Sequence, residues 1–425
     1  MQQFLYPNIK DADALLARPS GNLHVYREKA AGMLAAIRQE GDAAVRRFSL
    51  QFDGHEPAAV TEAAFEQAEA FLSPALKAAI HQAYANIRAF HAAQQEDMAP
   101  VETMPGVLCW RRSIPVERVG LYIPGGTAPL FSTVLMLGVP AQLAGCPDVV
   151  LCTPPQPNGE VHPAVLFSAA LCGIRKVFSI GGVQAIGAMA YGTETVPRVW
   201  KIFGPGNPWV TAAKQLVSLD GVAIDLPAGP SEVAVVADAA ANPAFVAADL
   251  LSQAEHGADS QVLLITDSES LLEAVETELS RQLADLPRQE LARQAIAHSK
   301  ALLVRSLEEA MDWVNLYAPE HLILQTQQAE QLAEQVMNAG SVFLGPYTPE
   351  SAGDYASGTN HTLPTGGYAR AYAGVSLDSF VKKITFQQIT ESGLKKLGPA
   401  IVEMANAEGL AAHARAVTLR MHAVF

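Results

Sequence analysis

The sequence predicts an α/β protein made of two Rossmann-like parallel-sheet domains, with N-terminal helices and a C-terminal helical tail. Three observations carry that expectation. A first series of β-branched runs ends in glycine or proline turns: VGLYIPGG from Val119, VVLCTPP from Val149, KVFSIGG from Lys176, VWKIFGPG from Val199 and VAIDLPAG from Val222. A second series follows: EVAVVAD from Glu232, QVLLITD from Gln261, ALLVRS from Ala301, HLILQT from His321 and GSVFLG from Gly340. Helix-length segments separate the runs in both series, the spacing of parallel strands joined by crossover helices. Finally, 425 residues exceed one ordinary domain.

In chain order, residues 1–20 form an N-terminal arm. From Gly21 to about Gln95 apolar residues recur at three- and four-residue spacing, the helical period, and Ser73-Pro74 supplies an N-cap and a first-turn proline. The stretch from Thr127 to Gly145 is long, uncharged and apolar, but Ser132, Thr133, Pro140 and Gln142 interrupt it and strands flank it closely. A helix covered inside a core fits it better than a membrane span. The expected division places 21–118 with 234–375 in one α/β domain and 119–233 in a second, nucleotide-binding one. Two independent units in tandem also satisfy the pattern. From Asp378 the pattern reads as helix to the end, so 376–425 is expected to be a helical tail without a core of its own.

The net charge of −14 and the lack of any long Lys/Arg run speak against a nucleic-acid partner. Cys109, Cys146, Cys152 and Cys172 lack C-x-x-C spacing and lie in or near apolar segments, as buried free thiols in a reducing cytoplasm would. The N-terminus, MQQFLYPNIKDADALL, has no basic region followed by an apolar run, so no secretory signal is expected.

Glycine turns recur where ligand crevices form in parallel sheets: Gly125-Gly126, Gly181-Gly182 and Gly204-Pro205-Gly206-Asn207. They let backbone N–H groups approach a pyrophosphate, but they also serve as plain strand-to-helix turns. No G-x-G-x-x-G occurs, and no acidic residue ends the next strand to hold a ribose. Ala188-Met189 follow the G-x-x-x-x-G of Gly182 to Gly187, where a phosphate loop needs Lys and Ser or Thr.

Groups capable of metal or proton chemistry cluster in four places. In SQAEHG, Gln253 and His256 are spaced i, i+3 near a helix end that Gly257 terminates, so they share a face. Two ligands do not close a zinc shell, and a polar helix end explains them equally well. In YAPEHL, Glu320 and His321 precede a strand and offer two proton-transfer groups, or a solvated turn. From Glu350 to His361 runs a polar, glycine-containing stretch with no helix or strand pattern, which reads as a functional loop. In the tail, Glu408 and His413 are spaced i, i+5, off a common face.

Taken together, GLYIPGG, SIGGVQAIGAMAYGT, FGPGNPWV, DLPAGPSEV, SQAEHG, YAPEHL, GDYASGTNHTLPTGG and EGLAAH, in this order from Val119 to His413, resemble the histidinol dehydrogenase family. The resemblance implies oxidation of L-histidinol through an aldehyde to L-histidine, with two NAD and a zinc ion, in a cytoplasmic homodimer. By motif it implies Gln253, His256, Asp354 and His413 as zinc ligands that also face the substrate, with His413 coming from the partner subunit's tail. It implies Glu320 and His321 as the acid/base pair, His321 also touching substrate. Ser231, His361 and Glu408 are implied to contact the substrate, and Tyr122, Gln184 and Asn207 to contact NAD. Competing expectations are oxidation of another polar amino alcohol, a zinc hydrolase using Glu320, and a non-catalytic metal-binding scaffold.

Overall fold

The computed structural model describes residues 1–19, 23–96, 98–125, 129–227 and 229–422. Gly126, half of the first glycine turn, lies outside them, as does the side chain of His24. The described strands are, in chain order, β1 (Gln2–Leu5), β2 (Val101–Met104), β3 (Val107–Pro115), β4 (Arg118–Tyr122), β5 (Asp148–Thr153), β6 (Lys176–Ser179) and β7 (Lys201–Phe203). They continue with β8 (Ala223–Ile224), β9 (Glu232–Ala237), β10 (Gln261–Thr266), β11 (Lys300–Leu303), β12 (His321–Gln325), β13 (Ser341–Leu344) and β14 (Val381–Ile389).

All ten runs read from the sequence become strands, and they assemble into two parallel sheets. One has the order β6-β5-β4-β7-β8, the other β1-β11-β10-β9-β12-β13. Counted from its own first strand, each series has the order third, second, first, fourth, fifth; the N-terminal arm adds β1 beside β11. The strand order therefore reverses at β4 and at β9, the two positions where a doubly wound sheet opens a crevice. Every residue of β9 and β10 is buried, as a sheet covered on both faces requires.

The helices Leu23–Glu40, Asp42–Phe52, Glu62–Ala68 and Pro74–Ala92 belong with the five-stranded sheet, not with residues 234–375 as the sequence suggested. Leu34, Ile37 and Val45 share a core with Val150, Ile180 and Ile186. Ile80 and Ile87 share one with Val134 and Leu151. The six-stranded sheet is covered by its own crossover helices, so it leaves no apolar face for a second layer. The stretch after Thr127 forms the helix Phe131–Ala144, buried from Ser132 to Ala141, and no described helix is long and apolar enough to cross a membrane.

The tail is not helical throughout. β14 pairs antiparallel with β3, and β3 with β2, in a third, three-stranded sheet. Trp110 and Phe386 stack across that pairing with ring centroids 5.5 Å apart, a cross-strand contact that a helical reading of the segment misses. The helices Glu391–Ala407 and Ala411–Met421 follow and pack mainly on each other. Of the four free cysteines, Cys152 and Cys172 are buried as expected, whereas Cys109 and Cys146 are only half-buried.

Candidate active site

The chain leaves the carboxyl end of β8 and enters β9 after a short connection, so the functional groups of the second unit gather at the amino edge of its sheet. Ala318, in the left-handed conformation with φ 52°, ends the helix Leu307–Tyr317 and turns the chain so that Glu320 and His321 arrive at the start of β12. There β12 lies beside β9, with His321 opposite Val233. Glu232 consequently serves both residues through its backbone. Its N–H donates to Glu320 Oε2 at 2.9 Å, and its carbonyl lies 3.1 Å from His321 Nδ1.

That carbonyl can only accept, so Nδ1 carries the proton of a neutral His321 and Nε2 is the basic nitrogen. Nε2 is buried with no hydrogen-bond partner among the described residues, and Asp354 Oδ1 lies 3.4 Å away. A buried nitrogen left open costs stability unless something else fills the place. Glu232 is itself clamped: Arg18, from the N-terminal arm, donates to both carboxylate oxygens at 2.5 and 2.8 Å, and the Gly366 N–H donates at 2.7 Å.

Glu350 to His361 was expected to be a loop, but it opens with the helix Glu350–Tyr355. The i, i+4 spacing puts Glu350 and Asp354 on one face, turned toward His321. Glu350 Oε1 lies 4.0 Å from His321 Nδ1. Gln253, buried in the last turn of the helix Pro243–Ala254, donates its amide to Glu350. His256, just past that helix, completes a group with Glu350 and Asp354 whose ligand atoms all lie within 4.8 Å of one another. His361 joins the two sheet units: its Nδ1 lies 2.8 Å from the Asp354 carbonyl and its Nε2 3.0 Å from Thr133 Oγ1, on the helix that follows β4. Ser231 immediately precedes Glu232 and is half-buried.

The electrostatics follow from crowding three carboxylates, two of them buried, around one buried imidazole. Burial pushes Glu320 up to about 8, with His321 pulling the other way, and burial pushes Glu350 up to about 8 as well. Burial lowers the pKa of His321, but Glu350, Glu320 and Asp354 outweigh it and raise it to about 10. The cluster holds more negative charge than a buried site tolerates unless protons or a cation compensate. Its donor set, one imidazole, two carboxylates and a neighbouring amide, therefore fits a divalent metal.

Glu408 and His413 do not join this cluster. Both are exposed on the tail, and no side-chain hydrogen bond or ion pair links them to it among the described residues.

A second cavity, of about 440 Å³, lies at the carboxyl ends of β4 to β7 and brings Tyr122, Gln184 and Asn207 together. The Tyr122 hydroxyl accepts the Gly182 N–H at 3.1 Å, and burial pushes its pKa to about 12. Asn207 Oδ1 caps the helix Pro208–Leu219 by accepting from Trp209 N and Val210 N, both at 3.1 Å. Gly204 (φ 127°), just after β7, lies against the end of β4; a Cβ there would collide with the Tyr122 carbonyl. This glycine is required by backbone approach at the strand-order reversal.

Beneath the cluster, Asp249 accepts from Gln325 Nε2 at 2.5 Å, while Gln325 Oε1 is buried without a partner among the described residues. Burial lifts Asp249 to about 6, against the pull of the Gln325 bond. The folded protein thus holds a proton that the unfolded chain releases near pH 4, and it loses stability as pH rises from about 4 to about 6. Asp249→Asn removes the charge and supplies an N–H for the orphan oxygen. It is expected to be more stable than the unsubstituted protein at pH 8 by about 1–3 kcal/mol, read from urea unfolding. A variant no more stable at pH 8 would show that Asp249 ionises there without cost.

Two doubly wound sheets, with a crevice of about 440 Å³ on one and a buried carboxylate–imidazole pair on the other, define an α/β enzyme. The chain belongs to the histidinol dehydrogenase family, whose sequence model matches residues 16–421. It is 58% identical to a histidinol dehydrogenase of Bacteroides thetaiotaomicron over 424 residues, 99% of each chain. It is 56% identical to one from Bacteroides fragilis over 426 residues, covering all of both. The crystal structure of histidinol dehydrogenase from Elizabethkingia anophelis superposes with a TM-score of 0.97 at 51% identity, covering 99% of this chain and 98% of that one.

Proposed function

We propose that the chain oxidises L-histidinol through L-histidinal to L-histidine, using two NAD and a zinc ion, in a cytoplasmic homodimer with shared sites. The observation that carries this reading is the pairing of a tautomer-fixed His321, its Nε2 open, with a neighbouring Glu320 of raised pKa.

When bound, NAD accepts a hydride in each oxidation, and zinc holds the substrate's imidazole and amine while offsetting the negative charge of the site. Gln253, His256, Asp354 and His413 of the partner subunit would hold the metal. Ser231, His361 and Glu408 would contact the substrate, and Tyr122, Gln184 and Asn207 the dinucleotide.

His321 Nε2 takes the hydroxyl proton during the first oxidation, while the Glu232 carbonyl keeps its other nitrogen protonated. Asp354, one of the carboxylates that favour a second proton on His321, is also a proposed metal ligand, so sharing its charge with a cation would ease the loss of that proton and let His321 act as base. Glu320 then removes a proton from the water that adds to the aldehyde. Its raised pKa makes it a stronger base than an exposed glutamate, and the Glu232 N–H holds its carboxylate in place.

Purified, zinc-loaded protein given L-histidinol and NAD is expected to form two NADH per L-histidinol consumed. One equivalent would remove the second oxidation from the reading, and none would remove the substrate.

A further inference from the structure

No acidic residue stands at the end of the strand after β4, where a doubly wound dinucleotide fold commonly places the group that binds a ribose. The structure brings one from elsewhere in the chain. Asp53, just past the helix Asp42–Phe52, reaches over the carboxyl ends of the strands into the 440 Å³ crevice that Tyr122, Gln184 and Asn207 share.

Its Oδ2 accepts the Gly181 N–H at 3.1 Å and Gln184 Nε2 at 3.0 Å. Its Oδ1 has no hydrogen-bond donor among the described residues. Gly181 makes the approach possible, since a Cβ at that position would lie 2.7 Å from Asp53 Oδ1. Burial raises the pKa of Asp53, against the Gly181 and Gln184 hydrogen bonds, as expected of a carboxylate with acceptor capacity to spare.

Position indicates which part of a dinucleotide meets this carboxylate. His361 reaches Thr133 on the helix that follows β4, so the reacting end of a cofactor belongs where that helix meets the second unit. Asp53 is tied instead to the turn after β6, toward the far edge of the sheet. Pro154 and Pro155, which follow β5, line the same part of the crevice, and Phe52 beside Asp53 offers an aromatic ring 58% exposed. An aromatic surface next to an open carboxylate oxygen suits the adenosine half of a dinucleotide.

We propose that Asp53 accepts the hydroxyls of the adenosine ribose and discriminates against a dinucleotide bearing a 2′-phosphate there. The inference rests on the NAD reading above. A ribose offers two hydroxyl donors to Oδ1, whereas a 2′-phosphorylated ribose keeps only its 3′-hydroxyl and sets about two negative charges against the carboxylate. Asp53 becomes a specificity-determining residue supplied by the N-terminal helices, which gives that layer a part in the site beyond packing.

The test compares NAD and NADP with unsubstituted protein and with Asp53→Asn and Asp53→Ala, by steady-state kinetics and by direct binding. Asparagine keeps an oxygen for the Gly181 N–H and so separates charge from support. Asp53→Asn is expected to raise KM for NAD by about 10- to 100-fold, leave KM for the alcohol and the thermal midpoint unchanged, and lower the NAD-over-NADP preference by at least about tenfold. Asp53→Ala should weaken NAD at least as much. A KM for NAD within about twofold of the unsubstituted value in Asp53→Asn, with the preference unmoved, overturns the proposal while leaving the NAD reading intact. Unsubstituted protein that binds neither dinucleotide overturns both.

Discussion

His321→Asn is expected to lower the rate of both oxidations by about 10²- to 10⁴-fold, the usual contribution of a placed general base, with zinc content unchanged. Asparagine keeps a donor for the Glu232 carbonyl but offers no basic nitrogen at the place of Nε2. Glu320→Gln is expected to divide the reaction. It preserves an oxygen for the Glu232 N–H but removes the carboxylate proposed to deprotonate water. Oxidation of L-histidinol to the aldehyde should then proceed within about tenfold of normal, and oxidation of added L-histidinal should fall by about 10²-fold or more. Stopped-flow measurement of NADH from each substrate, with elemental analysis of bound zinc, separates the two steps. Full turnover in His321→Asn would remove it as the base; equal losses in both steps for Glu320→Gln would assign that residue to the site's general electrostatics.

Much of this architecture was legible in the chain. Ten β-branched runs, those of the first series ending in glycine or proline turns, marked the strands of both parallel sheets, because a strand buried on both faces must be continuously apolar. The elements missed were those whose pattern is weak alone. β14 is half-exposed, and its KKITFQQI segment becomes a strand only because β3 lies alongside it. The docking of the N-terminal helices depends on which sheet has an uncovered layer of helices, a property of the assembled fold.

The same division holds for the site. Gln253, His256, Glu320, His321 and Asp354 stood in blocks that could be read directly, and the structure gathers them at one sheet edge. Glu350 was in view but unassigned, because glycine and serine around it suggested a loop; read as a helix, its i, i+4 relation to Asp354 would have exposed it. Arg18, Asp53 and the backbone of Glu232 carry no local signal. Arg18 is an isolated charge in the arm, and Glu232 acts through peptide groups that every residue possesses. Long-range register gives them their roles, since β9 must lie against β12 for one carbonyl and one N–H to meet the acid/base pair.

The largest effect that concerns assembly is expected from His413. Within one chain His256, Glu350 and Asp354 are grouped, with Gln253 alongside, while His413, the further zinc ligand that the family resemblance implies, stands apart from them on the tail. His413 is exposed on Ala411–Met421, and Met404, Leu410 and Leu419 are exposed on the same tail, whose two helices rest mainly on each other. Exposed apolar side chains on a tail that stands outside both parallel-sheet cores are what a segment docking on a second copy would present. His256→Ala and His413→Ala, each alone, are expected to retain below about 1% of normal turnover, because either removes a proposed metal ligand. Co-expressed, they should form mixed dimers in which one site combines both defects and the other has neither. Half the dimers are mixed at random assembly, so about a quarter of the sites are intact and turnover should recover to about that fraction. Purification through two different affinity tags isolates the mixed dimer, where the expected recovery is about half. No recovery in that species, with zinc bound at the level of the single variants, would mean that each tail serves its own chain.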